Sequence, residues 1–164
     1  MVDIITRAFQ KEDAAEVSAL ITKTLRITNS KDYSPEYIEK DVAQFTPEKV
    51  IERASWTHFY VFCDGEIIVG CGAIGPYWGS ETESSLFNIF VLPEYQGKGI
   101  GTQAMKFVTS HYDDWEQFTL ITPVDKEENV RFYTQRCGFS IVSTEMDGNV
   151  KVARFVLERG NQNV

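Results

Sequence analysis

One short run, Val91-Leu92-Pro93-Glu94-Tyr95-Gln96-Gly97-Lys98-Gly99-Ile100-Gly101-Thr102, constrains this chain more than any other. Strand-forming residues from Leu86 to Val91 lead into Pro93, which has no N–H to give to a sheet ladder, so a strand must end or splay there. Three glycines follow at alternate positions. A helical pattern then runs from about Gly99 to His111, with Ile100, Ala104, Phe107 and Val108 on one face. A glycine-rich turn opening onto a helix N-terminus aims several backbone N–H groups at a point where the helix dipole is positive. That makes an anion site, and phosphate is its usual occupant. Neither common nucleotide fingerprint fits, because Gly97, Gly99 and Gly101 stand at first, third and fifth positions. The nucleoside-triphosphatase loop needs four residues between its glycines and then Gly-Lys-Ser/Thr; the dinucleotide loop needs first, third and sixth. A plain strand-to-helix turn without a ligand is the alternative.

Composition narrows the class. With 164 residues, 43% hydrophobic and 13% aromatic, the chain suits one packed domain, taken as residues 1–159 with a polar tail over 160–164. Cys63, Cys71 and Cys137 have no CxxC spacing, so they read as small buried hydrophobes in a reducing compartment. His58 and His111 have no cysteine or carboxylate at ligand spacing, so no metal is expected. The net charge of −8, without a Lys/Arg cluster, argues against a nucleic-acid partner. An acidic surface also favours a cationic substrate. No apolar run approaches the ~20 residues of a membrane span, and Met1-Val2-Asp3 does not begin a signal peptide, so a cytoplasmic protein is expected.

Along the chain, Asp3–Arg7 reads as a strand. Asp13 reads as an N-cap, with Glu16 completing a capping box for a helix to about Arg26. Thr28 to Tyr33 is a polar loop, and Ser34-Pro35 and Thr46-Pro47 each open a helix, to about Gln44 and Ala54. Phe59–Cys63 and Ile67–Ile74 form a hairpin around Asp64-Gly65. Ser84–Val91 feeds the glycine loop, and Gln117–Ile121 is a further strand. Asp125–Arg136 is a helix ended by Gly138, and Phe139–Thr144 with Val150–Leu157 is a last hairpin around Asp147-Gly148.

The loop resembles the coenzyme-A pyrophosphate loop of the GNAT N-acetyltransferases, Gln/Arg-x-x-Gly-x-Gly/Ala, here Gln96-Gly97-Lys98-Gly99-Ile100-Gly101. A second stretch, Asn129-Val130-Arg131-Phe132-Tyr133-Thr134-Gln135-Arg136-Cys137-Gly138-Phe139, is similar to that family's other signature, Phe-Tyr on a helix followed by Gly-Phe entering a strand. The resemblance implies an α/β (α+β) GNAT fold: a mixed, mostly antiparallel sheet of six or seven strands, a splayed fourth strand and helices on both faces. It implies acetyl-coenzyme A as co-substrate, held by Gln96, Gly97, Lys98, Gly99, Ile100, Gly101 and Thr102. Backbone groups of Ile89, Phe90 and Val91 would pair with the pantetheine arm as an added strand would. The implied reaction is direct acetyl transfer to a primary amine of a small molecule or peptide in a ternary complex.

Tyr133 matches the tyrosine that in many members protonates the departing sulfur. The chemistry suits it, since phenol (~10) and thiol (~8.5) pKa values lie close. Packing of the helix on the sheet is the other reading of Phe132-Tyr133. Two positions depart from the family pattern. Ser85 stands where a basic glutamate is often found, and Glu83, two residues away on the same strand face, is the substitute base or simply a solvated carboxylate. Lys126 stands where an asparagine is usual; Asn129, one helical turn before Tyr133, is the residue left to reach the coenzyme. The acceptor wall is assigned to Thr28–Ala54 and Gly75–Glu83, with Tyr33, Tyr37, Phe45 and Trp78 as lining or as packing. A non-catalytic acyl-coenzyme A module is the rival function, and a second copy of the chain is a candidate partner.

Overall fold

The computed structural model describes residues 3–76, 83–111 and 116–158. Its strands are β1 (Ile5–Ala8), β2 (His58–Asp64), β3 (Ile67–Pro76), β4 (Glu83–Val91), β5 (Gln117–Pro123), β6 (Ser140–Asp147) and β7 (Val150–Glu158). They form one sheet in the order β1-β2-β3-β4-β5-β7-β6. Every neighbouring pair is antiparallel except β4 with β5. The helices are α1 (Ala14–Ile27), α2 (Pro35–Val42), α3 (Pro47–Trp56), α4 (Ile100–His111) and α5 (Glu127–Arg131). A mixed, mostly antiparallel sheet with helices on both faces is the expected fold.

Alternation along β2 explains the two helical layers. Phe59, Val61 and Cys63 face one way and pack with Val17, Leu20, Ile21 and Leu25 of α1 and Val50 of α3. Phe62 faces the other way, against Ile100 and Ala104 of α4. Ile21 and Val50 are fully buried, and each such side chain contributes about 1.5–3 kcal/mol. No disulfide joins the three buried cysteines: Cys63 and Cys71 lie in the first of these layers, and Cys137 packs with Phe118, Phe139 and Phe155.

Local signals fixed some boundaries and missed others. Ser34 Oγ accepts from Tyr37 N–H at 3.2 Å and Thr46 Oγ1 from Lys49 N–H at 3.3 Å, so both proline-started helices are capped as expected. The Asp13–Glu16 capping box does not form. A 3₁₀ turn, Lys11–Asp13, precedes α1, and the Asp13 carboxylate accepts from Arg7 Nη1 (2.8 Å), Arg7 Nη2 (3.0 Å) and Gln10 N–H (2.8 Å). A bidentate charged donor from β1 outcompetes the helix's own amide. Glu16 instead accepts from Ile68 N–H on β3 at 2.9 Å. The expected helix over Asp125–Arg136 is also different: after α5 the backbone widens into a π turn, Phe132–Arg136, in which Cys137 N–H reaches Phe132 O at 3.2 Å. Hairpin centres sit one residue later than expected, at Gly65-Glu66 and Gly148-Asn149.

Two irregularities in β4 shape the middle of the sheet. Against β3, Cys71 pairs with Phe90 but Ala73 with Phe87, so β4 carries an extra residue between them. Against β5, pairing runs only through Glu83–Gln117, Ser84–Phe118 and Ser85–Thr119. Beyond Ser85 the two strands part, although β4 continues to Val91 and β5 to Pro123. Gly70 braces the far side of this opening: a Cβ there would lie 2.7 Å from Phe90 O and 2.9 Å from Phe62 Cδ2. Gly70→Ala should therefore lower stability by about 1–3 kcal/mol, read as a lower urea midpoint at unchanged slope; an unshifted midpoint would show that the brace yields freely.

Candidate active site

The parting of β4 and β5 opens a cleft of about 1280 Å³. Ile89, Phe90 and Val91 line one side, and Leu120, Ile121, Thr122 and Pro123 the other. Because β4 is paired only with β3 along this stretch, its outer edge presents backbone groups to the cleft without a strand partner. An extended chain entering here would meet a ready ladder.

At one end stands the glycine loop. A 3₁₀ turn, Pro93–Tyr95, carries the chain out of β4. Gly97 (φ +76°) and Gly99 (φ +81°) then adopt left-handed backbone, which favours glycine. A Cβ on Gly97 would meet nothing within 4 Å, so the space beside it is open. Gly101 is small for a different reason: its Cβ would sit 3.4 Å from Phe132 Cζ, so the start of α4 packs closely on the π turn. The first-turn N–H groups of the twelve-residue α4 have no partners within the helix, and Ile100, Gly101 and Thr102 line the cleft. Ile100, 2% exposed, pins this end into the core.

The loop's side chains are occupied with holding it. Gln96 Nε2 donates to Val91 O at 3.0 Å and to Thr28 Oγ1 at 3.2 Å, tying loop, strand end and α1 together. Tyr95 Oη donates to Asp64 at 3.0 Å. Lys98 holds its ammonium over the Tyr95 ring, 5.1 Å from the centroid, and is absent from the cleft lining, whereas Gln96, Gly97, Gly99, Ile100, Gly101 and Thr102 all line it. What the loop offers an anion is backbone N–H.

Tyr133 stands across the cleft, in the π turn. Its ring packs on Phe132, Phe139 and Phe155 at centroid distances of 5.1, 5.7 and 5.7 Å. Its carbonyl accepts from Phe139 N–H at 2.9 Å. The hydroxyl has no hydrogen-bond partner among the described residues, although burial pushes its pKa up to about 12. The ring is only partly buried and lines the cleft, so its hydroxyl is available to whatever enters there. Asn129, on the same wall, donates from Nδ2 to Thr122 Oγ1 at 3.3 Å and so ties α5 to β5.

The other end of the cleft is acidic and aromatic. Tyr33 and Tyr37 stack at 4.4 Å and donate their hydroxyls to Oδ2 (3.1 Å) and Oδ1 (2.7 Å) of Asp147, the last residue of β6. Asp41 and Gln44 lie beside them, and Arg53 lays its guanidinium over the Phe45 ring at 4.6 Å. Lys126 pairs with Asp32 at 3.3 Å, a bridge across the cleft. Tyr33, Tyr37 and Phe45 were legible as wall residues. Asp41, Asp147 and Arg53 were not, since only the folded chain brings residues more than a hundred positions apart to one wall. The position of Asp147 beside a glycine gave a turn signal, which masked its place in the site.

Glu83 begins β4 with its backbone opposite Gln117; its side chain, like those of Ser85 and Asn88, lies outside what the structure describes. So do Tyr77 and Trp78 and the segment 77–82. Among the described residues no group of His, Cys, Asp and Glu is placed to hold a metal ion.

The sequence model of the "Acetyltransferase (GNAT) family" matches residues 22–139. A Bacillus subtilis protein, the uncharacterized YrkN, is 32% identical over 84 residues, which is 51% of this chain; the chain spans 44% of that protein's length. Among solved structures, PaiA N-acetyltransferase from Thermoplasma acidophilum, in complex with coenzyme A, superposes with a TM-score of 0.74 at 18% identity, covering 93% of this chain and 98% of that one. A GNAT-family acetyltransferase from Streptococcus pneumoniae gives 0.76 at 16%, covering 95% and 99%. YncA from Salmonella typhimurium, with its cofactor acetyl-CoA, gives 0.68 at 12%, covering 95% and 94%. At these identities the likeness is one of fold.

The phenols of the cleft generate a pH prediction. Tyr33, Tyr37 and Tyr133 are held above the ordinary phenol value first by burial, and for Tyr33 and Tyr37 also by Asp147. Folded values above unfolded ones mean that this contribution to stability is complete below about pH 10 and is lost as pH rises through 10 towards 12, because the unfolded chain releases its protons first. Phenolate absorbance should therefore lag behind that of free tyrosine and rise together with loss of circular dichroism. Full ionisation near pH 10 with the fold intact would contradict the burial of these rings.

Proposed function

Because the chain belongs to the acetyltransferase (GNAT) family, we propose that it transfers an acetyl group from acetyl-coenzyme A to a primary amine by direct attack within a ternary complex. Acetyl-coenzyme A supplies the activated acetyl group as a thioester. The site fits it on two counts: two left-handed glycines, Gly97 with open space beside it, before a helix N-terminus for the pyrophosphate, and an unpaired strand edge for the amide-bearing arm.

The chain's own groups divide the work. Gly97, Gly99 and the first turn of α4 donate N–H to phosphate, with Gln96 and Thr102 shaping the loop and Lys98 adding charge outside it. The outer edge of Ile89–Val91 aligns the arm, and one of its N–H groups faces the carbonyl oxygen, an effect worth about 3 kcal/mol. Asn129 steadies the opposite wall. Tyr133 gives its proton to the leaving sulfur; a pKa of about 12 keeps it protonated at neutral pH, which is the state an acid needs. Glu83 is proposed as the base that relieves the amine of its proton through water, on its place in β4. Buried cysteines without a disulfide suit a reducing compartment, and we take the protein to act in the cytoplasm.

The unpartnered hydroxyl of Tyr133 carries this reading over a non-catalytic acyl-coenzyme A module, which would have no use for it. Tyr133→Phe should lower kcat by about 10²–10⁴-fold while leaving calorimetric affinity for acetyl-coenzyme A within a few-fold. Unchanged turnover would remove Tyr133 from the chemistry, and no turnover in either protein would favour the module. Gly99→Glu, which places a charged side chain on left-handed backbone, should abolish coenzyme binding; retained binding would free the loop from that role.

A further inference from the structure

We propose that the Asp32–Lys126 ion pair is a side-chain clasp over the cleft, which must open each time a ligand enters or leaves. The clasp stands on the geometry of the cleft itself. Coenzyme A is chosen as its probe on the acetyltransferase reading.

The two residues come from opposite walls. Asp32 lies between α1 and α2, which pack in one core layer with Val61 and Cys71. Lys126 lies between β5 and α5, and the π turn after α5 packs in another layer with Phe118 and Leu120. Between these walls the sheet is open, because β4 and β5 pair only as far as Ser85 and Thr119. Asp32 and Lys126 both line the cleft, and Lys126 Nζ lies 3.3 Å from Asp32 Oδ2. The other described ion pairs, Arg7–Asp13, Lys23–Glu94, Arg26–Glu39 and Arg154–Glu145, lie outside the cleft lining. Side chains thus close a gap that the backbone leaves open.

Both backbones are held while the side chains meet. On one side Thr28 is tied to Gln96 at 3.2 Å and Tyr33 to Asp147 at 3.1 Å. Between those anchors Asp32 N–H donates to Asn29 O at 3.0 Å. On the other side Val124 N–H donates to Lys151 O at 3.0 Å and Lys126 N–H to Pro123 O at 3.2 Å. Opening therefore needs only rotation about side-chain bonds, chiefly those of the long lysine stem, and neither wall has to move. The strength of the pair suits a gate. The ammonium and carboxylate side chains are 30% and 23% exposed, so water and salt reach them, and such a pair shifts an equilibrium only a few-fold. A pair this weak opens often and closes again.

The test is stopped-flow exchange of coenzyme A on the wild type, Asp32→Asn, Asp32→Glu and Lys126→Met. Dissociation should quicken about three- to fivefold in Asp32→Asn and Lys126→Met, and stay near the wild-type rate in Asp32→Glu, which keeps the charge. Charge alone predicts the reverse for Asp32→Asn, because removing an acid holds an anionic ligand longer. Unchanged or slower dissociation from Asp32→Asn overturns the clasp and leaves the acetyltransferase reading standing. Combining Asp32→Asn with Lys126→Met should add nothing to the faster single variant; additive effects count against a shared clasp. Should Asp32→Asn melt early, or coenzyme A fail to bind, the neutral reagent N-acetylimidazole reads the same opening by acetylating Tyr133, followed by peptide mass. Labelling should be faster in Lys126→Met than in the wild type, and sodium chloride should speed it in the wild type alone. Equal labelling of the two proteins overturns the clasp. Coenzyme A that does not bind at all sinks the acetyltransferase reading, and faster labelling of Lys126→Met then leaves the clasp standing without it.

Discussion

The site depends on hydrogen bonds that are not made. Once β4 and β5 stop pairing after Ser85 and Thr119, two strands of a continuous sheet diverge and leave a gap lined by backbone. Such an opening is costly unless the rest of the sheet is firm. Here β3 pairs with β4 through Val91, and β7 pairs with β5 over its whole length to Pro123. The interrupted pair is thus flanked by intact ones, and the gap keeps its width without filling.

The functional groups inherit their places from that gap. At the end of β4 the chain must leave the sheet, and Pro93 with the left-handed glycines turns it into α4, whose dipole then faces the opening. At the end of β5 the chain turns back through α5 into a π turn. Widening by one residue lets Phe132 lie against Gly101 while Tyr133, its neighbour, packs on Phe139 and Phe155. A regular helix would rotate one of these two rings away. The phenol and the glycine loop are therefore placed by the same divergence, from opposite sides.

Much of this was legible in order along the chain. Proline-started helices, hairpin glycines and the strand–loop–helix run each act within a few residues, and each left its mark in sequence. What failed was equally local in appearance. Asp13 and Glu16 have capping-box spacing, but Arg7 and the Ile68 amide, brought in by β1 and β3, are better partners than the helix's own N–H groups. The π turn was hidden because a helical pattern of apolar residues does not distinguish about 3.6 residues per turn from a slightly wider turn. At the aromatic end of the cleft, Tyr33 and Tyr37 were visible as candidate wall residues, but nothing near them announced Asp147.

The sequence by itself determined the glycine loop before α4, the order of the elements and the Phe132-Tyr133 pair that follows β5. These follow from backbone freedom at glycine, the missing N–H of proline and the periodicity of apolar side chains, which are properties of neighbouring residues. Only the tertiary structure decided where β4 and β5 part, which hydroxyl is left without a partner, and which carboxylates share a wall. Those depend on packing and electrostatics between segments such as α2 and the β6–β7 turn. Distances between such segments are set by the whole sheet and are written in no single stretch of it.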